Sequence, residues 1–379
     1  MQGGISEVLR RFGPSWAAVH HPTVHQARVL QHIRDCRTEA MGGHVTVCPE
    51  CGEEHKLYHS CRDRHCPRCQ YAQREAWLLA RKEELLPTTY FHVVFTVPSE
   101  LNGIIYGHQE KAYAALFHAA WDTLKIFGQK QDIQLGVTAL LHTWGSALVF
   151  HPHLHCIVPG GGKRLSDGTW KTLPQIKDGE AESFLFPVKA LGKMFRAKFM
   201  AELSAIDDIP KPIRAKCFSK PWVVYAKSPV SGAESTLEYL ARYAYRVAIG
   251  DRRILEVNDD AVTFEYKDYR DGGKNKPMTL QGNEFIRRYA QHILPYRFVH
   301  IRHYGILAPG NRKVLAALQA ELNATPVPRH RGRRKWKDIA ASRGLRMGQC
   351  PTCGEGILVI VKVIPHIRSP ERNPSLYVE

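Results

Sequence analysis

Two CxxC pairs, Cys48-x2-Cys51 and Cys66-x2-Cys69, constrain this chain more than any other feature. Each CxxC turn aims two thiolates at one point. Fourteen residues separate the pairs, just below the usual 15–20, so the spacing predicts one tetrahedral zinc ion held by all four. Residues 36–70 are rich in cysteine and short of long apolar side chains, so metal has to replace a core there. A second set is interleaved with the first. Cys36, His44, Cys61 and His65 are candidates for a second zinc, with His55 and His59 as competing imidazoles. Four protein ligands leave no open coordination position, so the expected zinc is structural. Apparent binding of roughly 10–16 kcal/mol would make folding of this segment depend on it.

Reading these cysteines as ligands requires a reducing compartment. Met1 to Gly13 already carries Glu7, Arg10 and Arg11, which is not a secretory signal. No apolar run approaches the roughly 18 residues of a membrane span, and Ile357 to Ile364 is broken by Lys362. The expectation is a cytoplasmic protein without a membrane partner, where structural disulfides are rare. Of the remaining cysteines, Cys350-Pro-Thr-Cys353-Gly354 is half a metal site, with His366 or His330 as candidate partners. Cys156 and Cys217 stand alone and read as buried apolar fillers. Lysine and arginine number 53 against 36 aspartates and glutamates, and a net charge of +17 points to a polyanionic partner such as nucleic acid.

Along the chain, Ile5, Val8, Leu9 and Phe12 have helical spacing, and Thr23 can cap a second helix carrying Val24, Ala27, Leu30 and Ile33. A helix from Tyr71 to Leu86 is stopped by Pro87, and Phe91 to Val97 is a buried-strand run. Gly107–Phe127 (helix), Leu135–Trp144 and His153–Val158 (strands), Val188–Leu203 (helix), Trp222–Ala226 (strand) and Ala233–Val247 (helix) follow. This order predicts an α+β domain with a mainly antiparallel sheet. Two short strands, Ile254–Val257 and Val262–Tyr266, are then separated by a loop, Asp268 to Pro277, from a helix near Asn283 to His292.

The chemistry lies in histidines and tyrosines. In His151-Pro-His153-Leu-His155, at the start of a strand, His153 and His155 share one face while Leu154 and Cys156 point to a core. Two adjacent imidazoles supply most of a divalent-metal site with open positions. If residues 135–144 and 153–158 form a hairpin, His142 falls opposite His153. His151 has the right parity too, so the third ligand is His142 or His151. Downstream, Tyr239 and Tyr243 lie four residues apart on one helix face, and Arg242 and Arg246 form a second such pair. A phenol can attack a phosphodiester whose charge a metal stabilises.

With these residues in view, the sequence resembles the HUH-class rolling-circle transposases of bacterial insertion sequences, and most of all the insertion-sequence ninety-one family. The resemblance spans nearly the whole chain. It rests on Gly42-Gly43-His44, Cys48-x2-Cys51-Gly52 and Ser60-Cys61-Arg-x-Arg64-His65-Cys66-Pro67-x-Cys69-Gln70 in the zinc region, and on the strand His92 to Pro98. It continues through His142-Thr-Trp144-Gly145, His151 to Gly162, Tyr239-Leu-x-Arg242-Tyr243, Arg246-x-Ala248-Ile249 and Arg302-His303-Tyr304-Gly305. The resemblance implies an antiparallel-sheet HUH nuclease domain, ferredoxin- or RRM-like, behind an N-terminal helical zinc-binding module. It implies a Mg²⁺ or Mn²⁺ ion on His153 and His155. Tyr243 and Tyr239 would be the nucleophiles that form 5′-phosphotyrosine links and leave a 3′-OH at single-stranded or hairpin element ends.

The implied division is 1–88 for the zinc module, 89–250 for the nuclease domain with its tyrosine helix, 251–325 for an extension and 326–379 for a basic tail. In that tail, Arg329, Arg331, Arg333, Arg334, Lys335 and Lys337 can neutralise phosphates, and Trp336 can stack on an unpaired base. Arg62, Arg64, Arg68 and Arg74 add charge beside the cysteines. Action on the nucleoid is implied. Two alternatives share parts of this reading: a rolling-circle replication initiator or relaxase with the same chemistry, and a non-catalytic zinc-finger DNA-binding protein. The second leaves the HxH strand and the tyrosine pair unexplained.

Overall fold

The computed structural model describes residues 4–174, 176–178, 182–230, 243–325 and 334–367. Its centre is an antiparallel sheet in which the strands Val224–Val230, Tyr90–Thr96, Phe150–Pro159 and Ile133–Trp144 lie side by side. Ile301–Gly305 pairs with Ile133–Trp144, and the short strands Gly161–Arg164 and Trp170–Thr172 complete the seven. Phe91, Phe95, Phe117, Phe195 and Phe199 are almost fully buried where the helices Gln109–Gln129 and Val188–Ser204 cover one face. Each such phenyl contributes roughly 1.5–3 kcal/mol of apolar burial. The other face is covered more lightly. There Trp77 and Leu78 of the helix Gln70–Lys82 pack with Tyr90, Leu140, Ile157 and Ala244. That helix ends four residues before the predicted Leu86. Leu86 instead leaves the helix for a separate small core with Ile306, Leu315 and Leu318, and its N–H donates to Tyr90 Oη at 2.9 Å.

The first helix, Ile5–His20, buries Ile5, Val8, Leu9, Phe12 and Trp16 on one stripe. The second, Val24–Asp35, starts at a capping box: Thr23 Oγ1 accepts from the Gln26 N–H, and Gln26 Oε1 accepts from the Thr23 N–H. These helices share a core with Ile254, Val262, Phe264, Phe285 and Ile286, so the first and third sequence segments pack together. In the latter, half of the predicted loop Asp268 to Pro277 is strand. Lys274–Gln281 pairs along Ala261–Asp268, with Val262 opposite Leu280 and Phe264 opposite Met278. The turn is confined to residues 269–273, where Gly272 and Gly273 take positive φ. Pro277 is tolerated because this is an edge strand.

The tail returns to the N-terminal region. Its helix Trp336–Ser342 packs on Gln70–Lys82, and its strand Val359–Ile364 pairs with Gly43–Val47, which also pairs with Glu54–Tyr58. No described helix is long and apolar enough to cross a membrane.

Candidate metal and nucleophile site

The histidine strand Phe150–Pro159 runs between Tyr90–Thr96 and Ile133–Trp144. Leu154, Cys156 and Val158 enter the phenylalanine core, which turns His153 and His155 to the opposite face. His142 stands opposite His153 in the register. One ring nitrogen from each of His142, His153 and His155 lies within 4.8 Å of the other two. Of the two candidates for the third imidazole, the fold brings in His142 and not His151. His151 serves through its carbonyl, which accepts from His153 Nδ1 at 2.7 Å.

Each ring in the cluster is held by a hydrogen bond that leaves its other nitrogen available. His142 Nε2 donates to the Tyr243 carbonyl at 2.7 Å, and His155 Nδ1 bonds His92 Nε2 at 2.8 Å. Such outer contacts fix the tautomer and orientation of a ligating imidazole. Burial pushes His142 and His155 well below the usual imidazole range and His153 down to about 4. All three are therefore neutral near pH 7, the form that binds a cation. Three neutral, converging imidazoles fit a divalent metal with open positions.

His92, on the strand Tyr90–Thr96, joins the group without any mark in the sequence beyond its apolar run. Its ring stacks on His155 with centroids 5.0 Å apart. Tyr243 closes the group. Its ring centroid lies 4.6 Å from His155, 5.5 Å from His92 and 6.1 Å from His142. Tyr245 turns away to meet Trp77 edge-on. Arg246 is exposed and lines a small cavity with Arg64, Trp144 and His300. Tyr239, Arg242, Arg329, Arg331 and Arg333 lie outside the described residues, as does His330. Of the rest of the basic block, Arg334 ion-pairs with Glu83, Lys335 and Lys337 are exposed, and Trp336 meets Tyr71 edge-on. Several arginines near the cysteines hold the protein itself together. Arg64 donates to the Pro295 and Phe298 carbonyls, Arg68 pairs with Asp251, and Arg74 pairs with Glu75.

The cysteines group differently from the expectation. Cys36, Cys61, Cys66 and Cys69 converge, and Cys48 and Cys51 converge with Cys350 and Cys353. The physical reason is local. Cys66 and Cys69 sit at the start of the helix Gln70–Lys82, beside Cys36 at the end of the helix Val24–Asp35. Cys48 and Cys51 occupy the turn of a hairpin instead. The imidazoles proposed for the second zinc have other partners. His44 meets His59 edge-on, and His65 bonds Asp63 and the Leu294 N–H. In the first cluster Cys69 lies 3.5 Å from Cys36 and 3.6 Å from Cys61, sulfur to sulfur. Zn–S bonds of about 2.3 Å give tetrahedral S···S edges of about 3.8 Å, so this donor set fits zinc. Cys156 and Cys217 are buried as isolated residues, as expected.

A cysteine-built N-terminal module ahead of a sheet bearing an HxH strand matches known domains in both parts. Residues 8–97 match a family described as a transposase zinc-binding domain, and residues 136–314 match one described as a putative transposase. The class defined is that of transposases, which are DNA-cleaving enzymes. The chain is 37% identical to the putative transposase y4qJ of Sinorhizobium fredii (strain NBRC 101917 / NGR234), over 97% of each chain. It is 27% identical to the transposase for insertion sequence element IS801 of Pseudomonas savastanoi pv. phaseolicola, over 77% of this chain and 73% of that one. The chain belongs to the insertion-sequence ninety-one family of transposases. No solved structure matches it.

Proposed function

We propose that this transposase cuts and rejoins single-stranded DNA at element ends through 5′-phosphotyrosine intermediates, with Tyr243 and Tyr239 as nucleophiles. The observation that carries the reading is the Tyr243 ring 4.6 Å from His155, beside a cluster of three converging neutral imidazoles. His142, His153 and His155 would hold the catalytic cation, either Mn²⁺ or Mg²⁺. When bound, the ion polarises the scissile phosphate and stabilises its developing charge. The all-nitrogen donor set suits Mn²⁺ better than the oxygen-preferring Mg²⁺. His142 holds the Tyr243 backbone through its carbonyl, which ties the position of the nucleophile to the cluster. The phenol loses its proton as its oxygen attacks phosphorus. The bond to the 3′ oxygen breaks, and that oxygen takes up a proton to become a 3′-OH. Two tyrosines allow two successive strand transfers, and Arg242 and Arg246 would contact the DNA. The tail block and the zinc module contact the DNA, and the fourfold division of the chain serves these roles. The site of action is the nucleoid.

The test is a covalent-adduct assay on single strands containing the element ends, with Mn²⁺ or Mg²⁺. Wild type should become covalently attached, at lower Mn²⁺ than Mg²⁺ concentration. Tyr243→Phe combined with Tyr239→Phe should abolish the adduct. An adduct that persists in the double variant removes the nucleophile assignment.

A further inference from the structure

We propose that Cys48, Cys51, Cys350 and Cys353 hold a second zinc ion, so that the tail completes a zinc ribbon on the N-terminal hairpin. The tail lies beyond both segments that match family domains, 8–97 and 136–314. The sulfur atoms of Cys48 and Cys353 are 3.7 Å apart, and those of Cys51 and Cys350 are 3.8 Å apart. These separations match the edge of a zinc–thiolate tetrahedron, about 3.8 Å, and are far longer than a disulfide of about 2.05 Å.

The two halves are copies of one device. Cys48-Pro-Glu-Cys51-Gly52 and Cys350-Pro-Thr-Cys353-Gly354 share the pattern C-P-x-C-G. Gly52 and Gly354 take φ of 74° and 73°, and each donates its N–H to the carbonyl of the first cysteine of its own knuckle at 2.9 Å. A side chain would be strained at either glycine. Each knuckle leads into a strand, Glu54–Tyr58 in one case and Val359–Ile364 in the other, and both strands pair with Gly43–Val47. The packing is close: a Cβ on Gly356 would lie 2.4 Å from Cys48 Sγ. His55 Nε2 stands 3.6 Å from Cys350 Sγ, where it can donate to a thiolate. Binding releases four thiol protons and leaves four thiolates on the ion, with no oxidant or reductant required.

The site joins Cys51 and Cys350 across 299 positions of sequence. The tail reaches it along the helix Gln70–Lys82, where Arg343 bonds the buried Glu75 and Arg334 pairs with Glu83. Because Trp77 and Leu78 of that helix pack with Ala244, next to Tyr243, the second zinc fastens a strap over the element that backs the nucleophile.

Metal analysis of the full-length protein tests this directly. Wild type should carry two zinc ions per chain. Cys350→Ser combined with Cys353→Ser should carry one, as should Cys48→Ser combined with Cys51→Ser. Two zinc ions retained in the tail variant would overturn the proposal. If a variant fails to fold, cadmium-substituted wild type keeps the question open to measurement. Two cadmium resonances in the all-thiolate range are expected. Fewer than two all-thiolate resonances, whatever further signal the His142, His153 and His155 cluster adds, overturns the assignment, as does a Cys350–Cys353 disulfide found by non-reducing mass spectrometry.

Discussion

The segment 43–69 and the sheet that carries the histidines are held by different physics. Across this segment the buried apolar content is little more than Val45 of the strand Gly43–Val47 and the cysteines Cys48 and Cys66. The sheet buries Phe91 and Phe95 against Phe117, Phe195 and Phe199 of two covering helices, and its strand Ile133–Trp144 is buried along nearly its whole length. The first region is fixed by a few directional bonds and the second by many weak ones. The second can therefore spare one whole face for polar chemistry, since its stability comes from the other. That is how two buried imidazoles, a half-buried one and a phenol are positioned without a metal having to fold the sheet.

Removing zinc should produce the largest difference between the two. Stripping the intact protein with a strong chelator should release the amides of residues 36–69 to hydrogen exchange, given roughly 10–16 kcal/mol per structural zinc. Amides of Tyr90–Thr96 and Phe150–Pro159 should stay protected. Loss of both regions together would show that they form one cooperative unit and would break the comparison. The converse substitution is Phe95→Ala, which should cost about 3–5 kcal/mol of sheet stability in denaturant unfolding and leave zinc content unchanged.

These differences also explain what could be read from the chain. Period-two alternation revealed the HxH face and the opposition of His142 and His153, because a strand's side-chain directions follow from its sequence alone. The partners of a cysteine do not. Spacing along the chain favours local pairs, which joins Cys48 and Cys51 to Cys66 and Cys69 and gives the distant tail knuckle no partner, whereas the fold brings Cys350 and Cys353 to Cys48 and Cys51. His92 was hidden because one histidine in an apolar run reads as strand filler, and its partner is 63 residues away. Lys274–Gln281 escaped because its polar, proline-containing sequence conceals alternation that only Met278 and Leu280 reveal against the second core. The expected helix Ala233–Val247 lies largely outside the described residues; of its described part Tyr243 and Ala244 are helical and Tyr245 to Val247 are not, and Tyr243 alone of the two nucleophile candidates is placed.

Within the sheet, His92 offers a finer cut. It bonds and stacks on His155, with the Tyr243 ring 5.5 Å away, and is not one of the three converging imidazoles, so its expected role is that of a positioning residue. His92→Ala should weaken binding of the catalytic cation about 10–100-fold by titration, equivalent to about 1.4–2.7 kcal/mol. Cleavage should recover at saturating Mn²⁺, and unfolding should shift less than for Phe95→Ala. A loss that excess metal does not restore would mean that His92 acts on the DNA or on Tyr243 instead.

The smallest expected effect sharpens the comparison at its boundary. Thr23 caps the helix Val24–Asp35, and Cys36, at the far end of that helix, belongs to the first four-sulfur cluster. Thr23→Ala removes the side-chain acceptor for the Gln26 N–H and should cost about 0.5–2 kcal/mol of helix stability. Where that loss appears depends on what holds the helix. In zinc-loaded protein Cys36 is anchored by the ion, and Val29, Leu30 and Ile33 are buried in the shared core, so the change in overall unfolding should lie near the lower end. In chelated protein the anchor is gone, and the same substitution should fray the helix measurably by circular dichroism and exchange. Equal losses in the two states would mean that packing against Ile254 and Phe285, rather than metal, fixes the helix, and would move the boundary between the two kinds of stabilisation to the cysteines themselves.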